Sequence, residues 1–200
     1  ASWAGDFLAS DVLALNLPVP LYLLPLVSGY VGGDLVAVLA GSPPDDQPTL
    51  DALTSMTSDA VEPLAAAEAL EQVYLASGEY RKLTDVREVQ IRFTEDPVER
   101  VEMLQQLAEI YEIQLEDPPS AFSAFVRALP LDTRTGRTLA ALERLAEQTG
   151  SWHEAASGYD AEVQRMRGES PEEVVHLAKR SAVINEVQLD DVDAAISRYQ

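Results

Sequence analysis

Apolar residues recur at every third or fourth position along the second part of the chain, the spacing that places them on one face of an α-helix. Two successive stripes are Leu104, Leu107, Ala108, Tyr111 and Leu115, then Ala121, Phe122, Phe125 and Ala128. Each stripe needs a partner surface, so we expect the helices to pack on one another. The pattern predicts eight helices, at 60–77, 80–94, 97–115, 118–128, 135–149, 152–167, 171–189 and 192 to the end.

Capping signals set the starts of these predicted helices. Residues 96–99 read DPVE and residues 170–173 read SPEE, so each segment offers an N-cap side chain, a proline at the first helical position and a glutamate at the third. Residues 151–154, SWHE, form a third capping box after Gly150, and Asp117-Pro118 begins another helix. Connections of two to six residues predict antiparallel neighbours.

The second part of the chain also repeats itself. Residues 69–80, ALEQVYLASGEY, return about 72 positions later as residues 141–152, ALERLAEQTGSW. Further on, residues 114–117 return about 74 positions later as residues 188–191. One unit therefore corresponds to two helical hairpins of about 36 residues each, a length close to that of solenoid repeats.

These hairpins resemble the tetratricopeptide repeat, whose first helix carries a large residue, leucine, a small residue and tyrosine, and whose second carries alanine, an aromatic residue and alanine. Matching positions are Leu104, Leu107, Ala108, Tyr111, Ala121, Phe125 and Ala128 in one hairpin, Ala67, Leu70, Tyr74, Gly78 and Tyr80 in another, and Leu139, Leu142, Gly150, Trp152, Ala155 and Tyr159 in a third. Glu71 and Glu143 depart from the motif at its small-residue position, and the proline expected after the second helix is matched only loosely, by Pro130.

The resemblance covers about 140 of the 200 residues and implies a mainly α fold. It implies stacked antiparallel helical hairpins, a tetratricopeptide-like α-solenoid. We expect the aromatic residues of this part to pack inside the hairpins rather than to form a stacking platform. The last predicted helix carries an apolar stripe, Ala195, Ile196 and Tyr199, with no following hairpin to cover it.

The first 60 residues differ in character, because they contain no Lys, Arg or Glu. Residues 17–40 are apolar, but three prolines, a glycine pair and Asp34 interrupt the run, so we expect no membrane span. We expect instead a helix at 5–15, an extended segment at 21–27, a glycine turn at 29–33 and a helix from Asp34 to about Ala40.

The predicted organisation has two parts. A small irregular or α/β segment with a proline-rich linker occupies residues 1–48, and the linker itself is residues 42–48. A helical array of about four hairpins occupies residues 49–200, with residues 50–56 adding a helical turn or two at its start. Because the chain begins without methionine and stops inside a predicted helix, we expect it to be a truncated piece of a longer protein.

Residues 22–41, YLLPLVSGYVGGDLVAVLAG, resemble the glycine-containing segment of the ATPase-like domain in reductive activators of corrinoid proteins. The resemblance implies a nucleotide site at Gly32, Gly33 and Asp34. The sequence departs from that family after Thr49, where TLDALTSMTSDA contains no glycine or asparagine for a phosphate loop. The alternative is that two glycines allow a tight turn before a capped helix.

Composition narrows the function further. The formal net charge is −20, which repels nucleic acid and anionic membrane and favours basic partners. There is no cysteine, so thiolate catalysis and zinc–thiolate sites are excluded, and the two histidines lie on different hairpins without a metal-binding spacing. We expect no catalytic residue, metal or cofactor. The first 16 residues lack the basic region of a secretory signal. The compartment stays open, with the cytoplasm favoured.

We therefore expect a non-enzymatic helical-repeat scaffold that binds a protein or peptide on a concave face. The predicted partner-binding residues are Glu102, Gln105, Glu109, Glu112, Arg137, Arg144 and Lys179, with Glu68, Gln72 and His176 on the same face. This face is acidic at one end and basic toward the other, which would orient a partner. The alternative function is a fragment of a nucleotide-binding protein with an appended helical region. The oligomeric state stays open.

Overall fold

The computed structural model of the chain describes residues 47–58, 63–132, 136–168 and 170–199. Within these ranges the chain is helical and contains no strand. The helices are α1 (Gln47–Ser58), α2 (Pro63–Ser77), α3 (Tyr80–Phe93), α4 (Pro97–Glu109), α5 (Pro118–Ala128), α6 (Gly136–Thr149), α7 (Trp152–Arg165), α8 (Pro171–Val187) and α9 (Val192–Tyr199). None of the helices in the described ranges is both long and apolar enough to cross a membrane.

Two compact units divide the chain, one ending at Phe93 and one beginning at Thr94. The first contains α1 to α3, and in it each helix packs on the next. The second contains α4 to α9, which also pack in chain order. A core of aliphatic and alanine side chains fills each unit, with Leu53, Leu70 and Leu83 in the first and Leu107, Leu142, Leu145 and Leu177 among the buried residues of the second.

The predicted helices from α2 onward are confirmed to within a few residues at each end. Two regions differ. Helix α1 is three turns long rather than one or two and takes in Gln47 and Pro48, the last residues of the expected linker. The predicted helix 97–115 changes after Glu109 into a π-helical turn, Ile110–Gln114, closed by a bond from the Leu115 N–H to the Ile110 carbonyl. Periodicity analysis assumes uniform turns of 3.6 residues and so misses this widening.

Aspartates cap α4 and α5 of the second unit. The Asp96 carboxylate accepts from the Val98 N–H at 2.9 Å and the Asp117 carboxylate from the Ser120 N–H at 3.2 Å, each ahead of a proline at the first helical position. Ser151 and Ser170 occupy the predicted N-cap positions, but the expected capping hydrogen bonds are absent, because neither side chain makes one. At Ser151 the backbone ψ is 36°, outside the extended region that an N-cap usually adopts.

Two kinds of helix ending recur along the chain. Gly78 and Gly150 both have positive φ, and the following N–H bonds back to the carbonyl five residues earlier, Glu79 to Tyr74 and Ser151 to Ala146. Glu116 (φ 50°) and Asp190 (φ 54°) are the two non-glycine residues with positive φ in the described ranges. They are 74 positions apart, and the aspartate after each, Asp117 and Asp191, donates its N–H to a carbonyl six residues earlier at 2.8 Å.

Most residues that match the tetratricopeptide motif are buried, among them Leu70, Tyr74, Leu107, Leu142 and Tyr159. Three of the aromatic residues expected in the core are only half-buried, namely Tyr80, Tyr111 and Trp152. Tyr80 and Trp152 are the first residues of their helices. The elements expected between residues 5 and 40 lie outside the described residues, and the two-part organisation at residue 48 stays a prediction.

Leu107→Ala and Leu142→Ala should each lower the free energy of unfolding by about 2–5 kcal/mol, because both side chains are fully buried and truncation leaves a cavity. Urea unfolding followed by circular dichroism measures the loss. Ile113→Ala, which removes a comparable apolar side chain from an exposed position, is the matched control and should cost less than about 1 kcal/mol. Losses below about 1 kcal/mol at the two leucines would show that they do not face the helix core.

Candidate functional site

A buried chain of hydrogen bonds joins α4 to α6. The Gln105 amide donates to the Thr138 hydroxyl at 3.1 Å, and that hydroxyl donates to the Asp132 carboxylate at 2.6 Å. All three side chains are buried. Gln105 was expected on the exposed partner face. The structure corrects that expectation, because the Gln105 side chain is buried between α4 and α6 and its amide donates to Thr138.

Ion pairs line the exposed edge of the same seam. Arg137 pairs with Glu109, and Arg144 makes a two-pronged pair with Glu112 that includes a contact of 2.8 Å. Gln105 contacts Thr138 near the start of α6, and Glu112, seven residues further on, contacts Arg144, six residues further on. The chain therefore runs in the same direction through α4 and its π-helical turn as through α6. Four of the predicted partner-binding residues therefore satisfy one another, and the expected gradient from acidic α4 to basic α6 is largely neutralised at the seam.

Glu112 shows the electrostatic consequence of this pairing. Its hydrogen bonds with the Arg144 guanidinium hold the pKa of the Glu112 carboxylate below its ordinary value. The same contact raises the pKa of Arg144, which carries its charge at every accessible pH. The pair lies at the surface, because about half of the Arg144 side chain is exposed. Its contribution to stability is therefore small.

Glu143 links three helices of the second unit. It lies on α6, accepts from the Tyr159 hydroxyl of α7 at 3.4 Å and pairs with Arg180 of α8 at 2.5 Å. Burial raises the pKa of the Tyr159 phenol, and the negative charge of Glu143 adds to the effect. Glu143 departs from the tetratricopeptide motif in sequence, and the structure gives the departure a role, because the carboxylate bonds to both neighbouring helices.

Glu71, the other departure from the motif, makes the corresponding link in the first unit. It pairs with Arg87 of α3 at 2.6 Å and accepts from the Gln90 amide at 2.6 Å. Arg87 follows Glu71 by 16 positions, as Tyr159 follows Glu143. A glutamate at this position thus ties the two helices of each pair together by a polar contact. In the sequence, the two glutamates are visible only as departures from the repeat motif.

An open cavity of about 440 Å³ lies where α6, α7 and α8 meet. Its lining residues are Glu143, Trp152, His176, Lys179, Arg180, Val183, Ile184 and Gln188. The Arg180 guanidinium bridges Glu143 and His176, donating to the His176 Nε2 at 3.2 Å. Lys179 is exposed and makes no ion pair within the described part of the chain. The cavity therefore combines an aromatic and aliphatic wall with one cation that is available to a ligand.

The predicted partner-binding residues fall into three groups. Glu109, Glu112, Arg137 and Arg144 are paired at the α4–α6 seam, Gln105 is buried, and Glu102, His176 and Lys179 are exposed. Glu68 and Gln72 are exposed on α2, in the other unit. The cavity residues Glu143, Trp152 and Arg180 are not among the predicted partner-binding residues. In the sequence, the sign of a special role was Glu143, an acidic residue at a position that the repeat reserves for a small side chain.

The described residues contain neither the predicted nucleotide site nor a cluster that could bind a metal ion. Gly32, Gly33 and Asp34, the residues of the nucleotide-site alternative, lie outside the described ranges. Within those ranges no group of three histidine or carboxylate side chains is placed to hold a metal ion. His153, in the first turn of α7, is exposed.

The chain matches no known protein-family model, and no curated protein has a significantly similar sequence.

Arg144→Met should lower the free energy of unfolding at about pH 7 by no more than about 1 kcal/mol, since the pair is exposed. Because the pKa of Glu112 in the folded chain lies below its ordinary value of 4.5, the contribution is fully present above that pH and is lost as the pH falls through the lowered pKa. Urea unfolding of both proteins from about pH 7 to about pH 3 measures the difference.

The matched control for this titration is Arg167→Met, which removes an exposed arginine that makes no ion pair among the described residues. Its effect on stability should be small and should not vanish over the range in which Glu112 titrates. A stability difference between Arg144→Met and the unchanged chain that persists undiminished at about pH 3 would contradict the assigned pair.

Proposed function

We propose that the chain is a non-enzymatic helical-repeat scaffold, built from tetratricopeptide-like hairpins in both units, that binds a protein or peptide partner. The binding face is formed by the first helices of the hairpins in the second unit, α4, α6 and α8. It includes Glu102, Glu109, Glu112, Arg137, Arg144 and Lys179. Three lines of observation support the proposal.

The first support is the recurrence of local geometry. The glycine endings at Gly78 and Gly150 and the positive-φ endings at Glu116 and Asp190 repeat the same backbone bonds at the same spacing as the sequence repeat. Helix ends are local structures that any helix pair could adopt. Two different endings at matching spacings are expected of a repeated supersecondary unit and are not needed in an irregular bundle.

The second support is the spacing of the contacts between helices. Side-chain bonds join α4 to α6, α6 to α8, and α7 to α9, and another joins Arg165 of α7 to the Pro130 carbonyl after α5. The bonded residues are 28 to 38 positions apart, a range that brackets the hairpin length of about 36 residues. Bonds between successive first helices, and between the second helices α7 and α9, are expected of a solenoid and so support this reading.

The cavity between α6 and α8 is the observation that carries the binding role. Trp152 and Val183 supply apolar surface, and Lys179 supplies a cation that the described chain does not neutralise. An amphipathic partner with an acidic side chain next to an apolar one fits this combination. The buried Tyr159, which has a strongly raised pKa, acts in packing and holds Glu143 rather than facing the cavity.

Selection of a displayed random-peptide library on the full chain tests this proposal. We expect the enriched peptides to share an acidic residue beside an apolar one, because those groups match Lys179 and the cavity wall. Lys179→Glu should weaken binding of a selected peptide about tenfold, and added salt should weaken the binding to the unchanged chain. Fluorescence anisotropy with the labelled peptide gives both values.

Arg92→Glu is the matched control, since it makes the same charge change at an exposed position of α3 in the other unit. It should leave the affinity unchanged. Failure of the library to yield any common sequence, or selected peptides that bind Lys179→Glu and a Trp152→Ala variant as tightly as the unchanged chain, would contradict a binding site in this cavity.

A further inference from the structure

The histidine in the cavity wall accepts a hydrogen bond from an arginine. The Arg180 Nε–H donates to the His176 Nε2 at 3.2 Å, and both residues lie on α8, one turn apart. An imidazole nitrogen accepts a hydrogen bond only while it carries no proton. The contact therefore identifies His176 as a neutral ring whose proton is on Nδ1.

A second contact holds Arg180 beside the ring. The guanidinium pairs with the Glu143 carboxylate of α6 at 2.5 Å, and less than a third of the Arg180 side chain is exposed. The same carboxylate accepts from the Tyr159 hydroxyl of α7 at 3.4 Å. Because Glu143 is bound to both neighbouring helices, it keeps the guanidinium within reach of His176 instead of leaving it free in solvent.

The charges around His176 come from two helices. The charged groups that line the cavity, or that lie one turn from the ring on its own helix, are Glu143 of α6 and Glu172, Glu173, Lys179 and Arg180 of α8. Helix α7 contributes Trp152, which does not titrate, and no described residue of α9 lines the cavity. Because Glu143 and Arg180 neutralise each other, Lys179 is the charge that a ligand meets in the cavity while His176 is neutral.

We propose that His176 is a pH-dependent switch of the cavity, which binds an acidic ligand more tightly when the ring is protonated. This inference rests on the proposed function, because it concerns the regulation of the same site. Protonation turns Nε2 from an acceptor into a donor, so the bond from Arg180 is lost. The protonated ring then offers a carboxylate a second cation beside Lys179.

The direction of the pH effect follows from the groups that titrate. Imidazole side chains gain a proton as the pH falls from about 8 to about 5, whereas carboxylates stay largely ionised above about pH 5. Lowering the pH through this window therefore adds a positive charge to the cavity without neutralising the ligand. One added charge at about 5 Å in a water-like environment corresponds to about fivefold tighter binding. By linkage, a bound ligand favours the protonated ring to the same extent.

Nuclear magnetic resonance of the full chain tests the state of the ring without a ligand. The chain contains two histidines, so His153→Gln leaves the signals of His176 alone. At about pH 8 we expect the ring nitrogen shifts to place the proton on Nδ1. Arg180→Met should move the proton toward Nε2, the position that imidazole prefers in water. A proton on Nε2 in the unchanged chain would overturn the inference.

Peptide binding tests the switch itself. The probe is a peptide selected on the full chain at about pH 7.5, free of histidine and acetylated at its N-terminus, so that it keeps its charge at about pH 5.5. Fluorescence anisotropy at the two pH values should show about fivefold tighter binding at the lower one. His176→Gln, whose amide oxygen can still accept from Arg180, should remove this difference. The matched control His153→Gln, at an exposed position of α7, should retain it.

The outcomes separate this inference from the proposed function. A peptide that binds the unchanged chain equally at both pH values, or a pH dependence that survives His176→Gln, would overturn the switch and leave the proposed function standing. A library that yields no binding peptide would overturn both. Circular dichroism at both pH values checks that the variants keep the helical content of the unchanged chain.

Discussion

The buried hydrogen-bond chain from Gln105 through Thr138 to Asp132 is the constraint on which the second unit most depends. A buried polar group without a partner costs far more than a satisfied one contributes, so these side chains accept only one arrangement of α4 against α6. The hydroxyl of Thr138 is fully buried and serves as acceptor and donor at once. Apolar packing alone would tolerate sliding between the two helices, whereas this chain fixes their register.

Ion pairs at the surface also join neighbouring helices of the second unit. The chain carries a net charge of −20, and most of the ion pairs in the described part of its second unit join residues on different helices. Asp160 of α7, for example, holds Arg198 of α9, with one bond of 2.9 Å, and also accepts from Ser181 of α8. Each such pair contributes little energy by itself. Together these pairs occupy arginines of the second unit in contacts between helices. Lys179, beside the cavity, is not in such a pair among the described residues and can pair with a ligand.

Local chemistry made much of the fold predictable from sequence. Proline at the first helical position, aspartate caps and glycine endings act within a few residues, so α3, α5 and α7 were bounded to within two residues. The π-helical turn after Glu109 and the missing capping bond at Ser151 were not predicted. The spacing of apolar residues does not reveal a widened turn or an unusual ψ.

The candidate site was less predictable because its geometry depends on contacts between distant residues. Helical spacing placed Glu109, Glu112 and Gln105 on one side of the predicted helix 97–115, but it could not tell which of them another helix would cover. The burial of Gln105 depends on Thr138, which lies 33 positions away. In the sequence Glu143 is only a departure from the repeat motif, whereas in the structure it bonds to Tyr159 and Arg180.

A double-mutant cycle between Gln105 and Thr138 tests this account most directly. Gln105→Met and Thr138→Val preserve shape, and each should cost about 1–3 kcal/mol of unfolding free energy by stranding the polar partner that remains. The double variant removes both groups, so its loss should fall short of the sum of the single losses by about 1 kcal/mol or more. Strictly additive losses would contradict the account, because they would mean that the two side chains do not meet between α4 and α6.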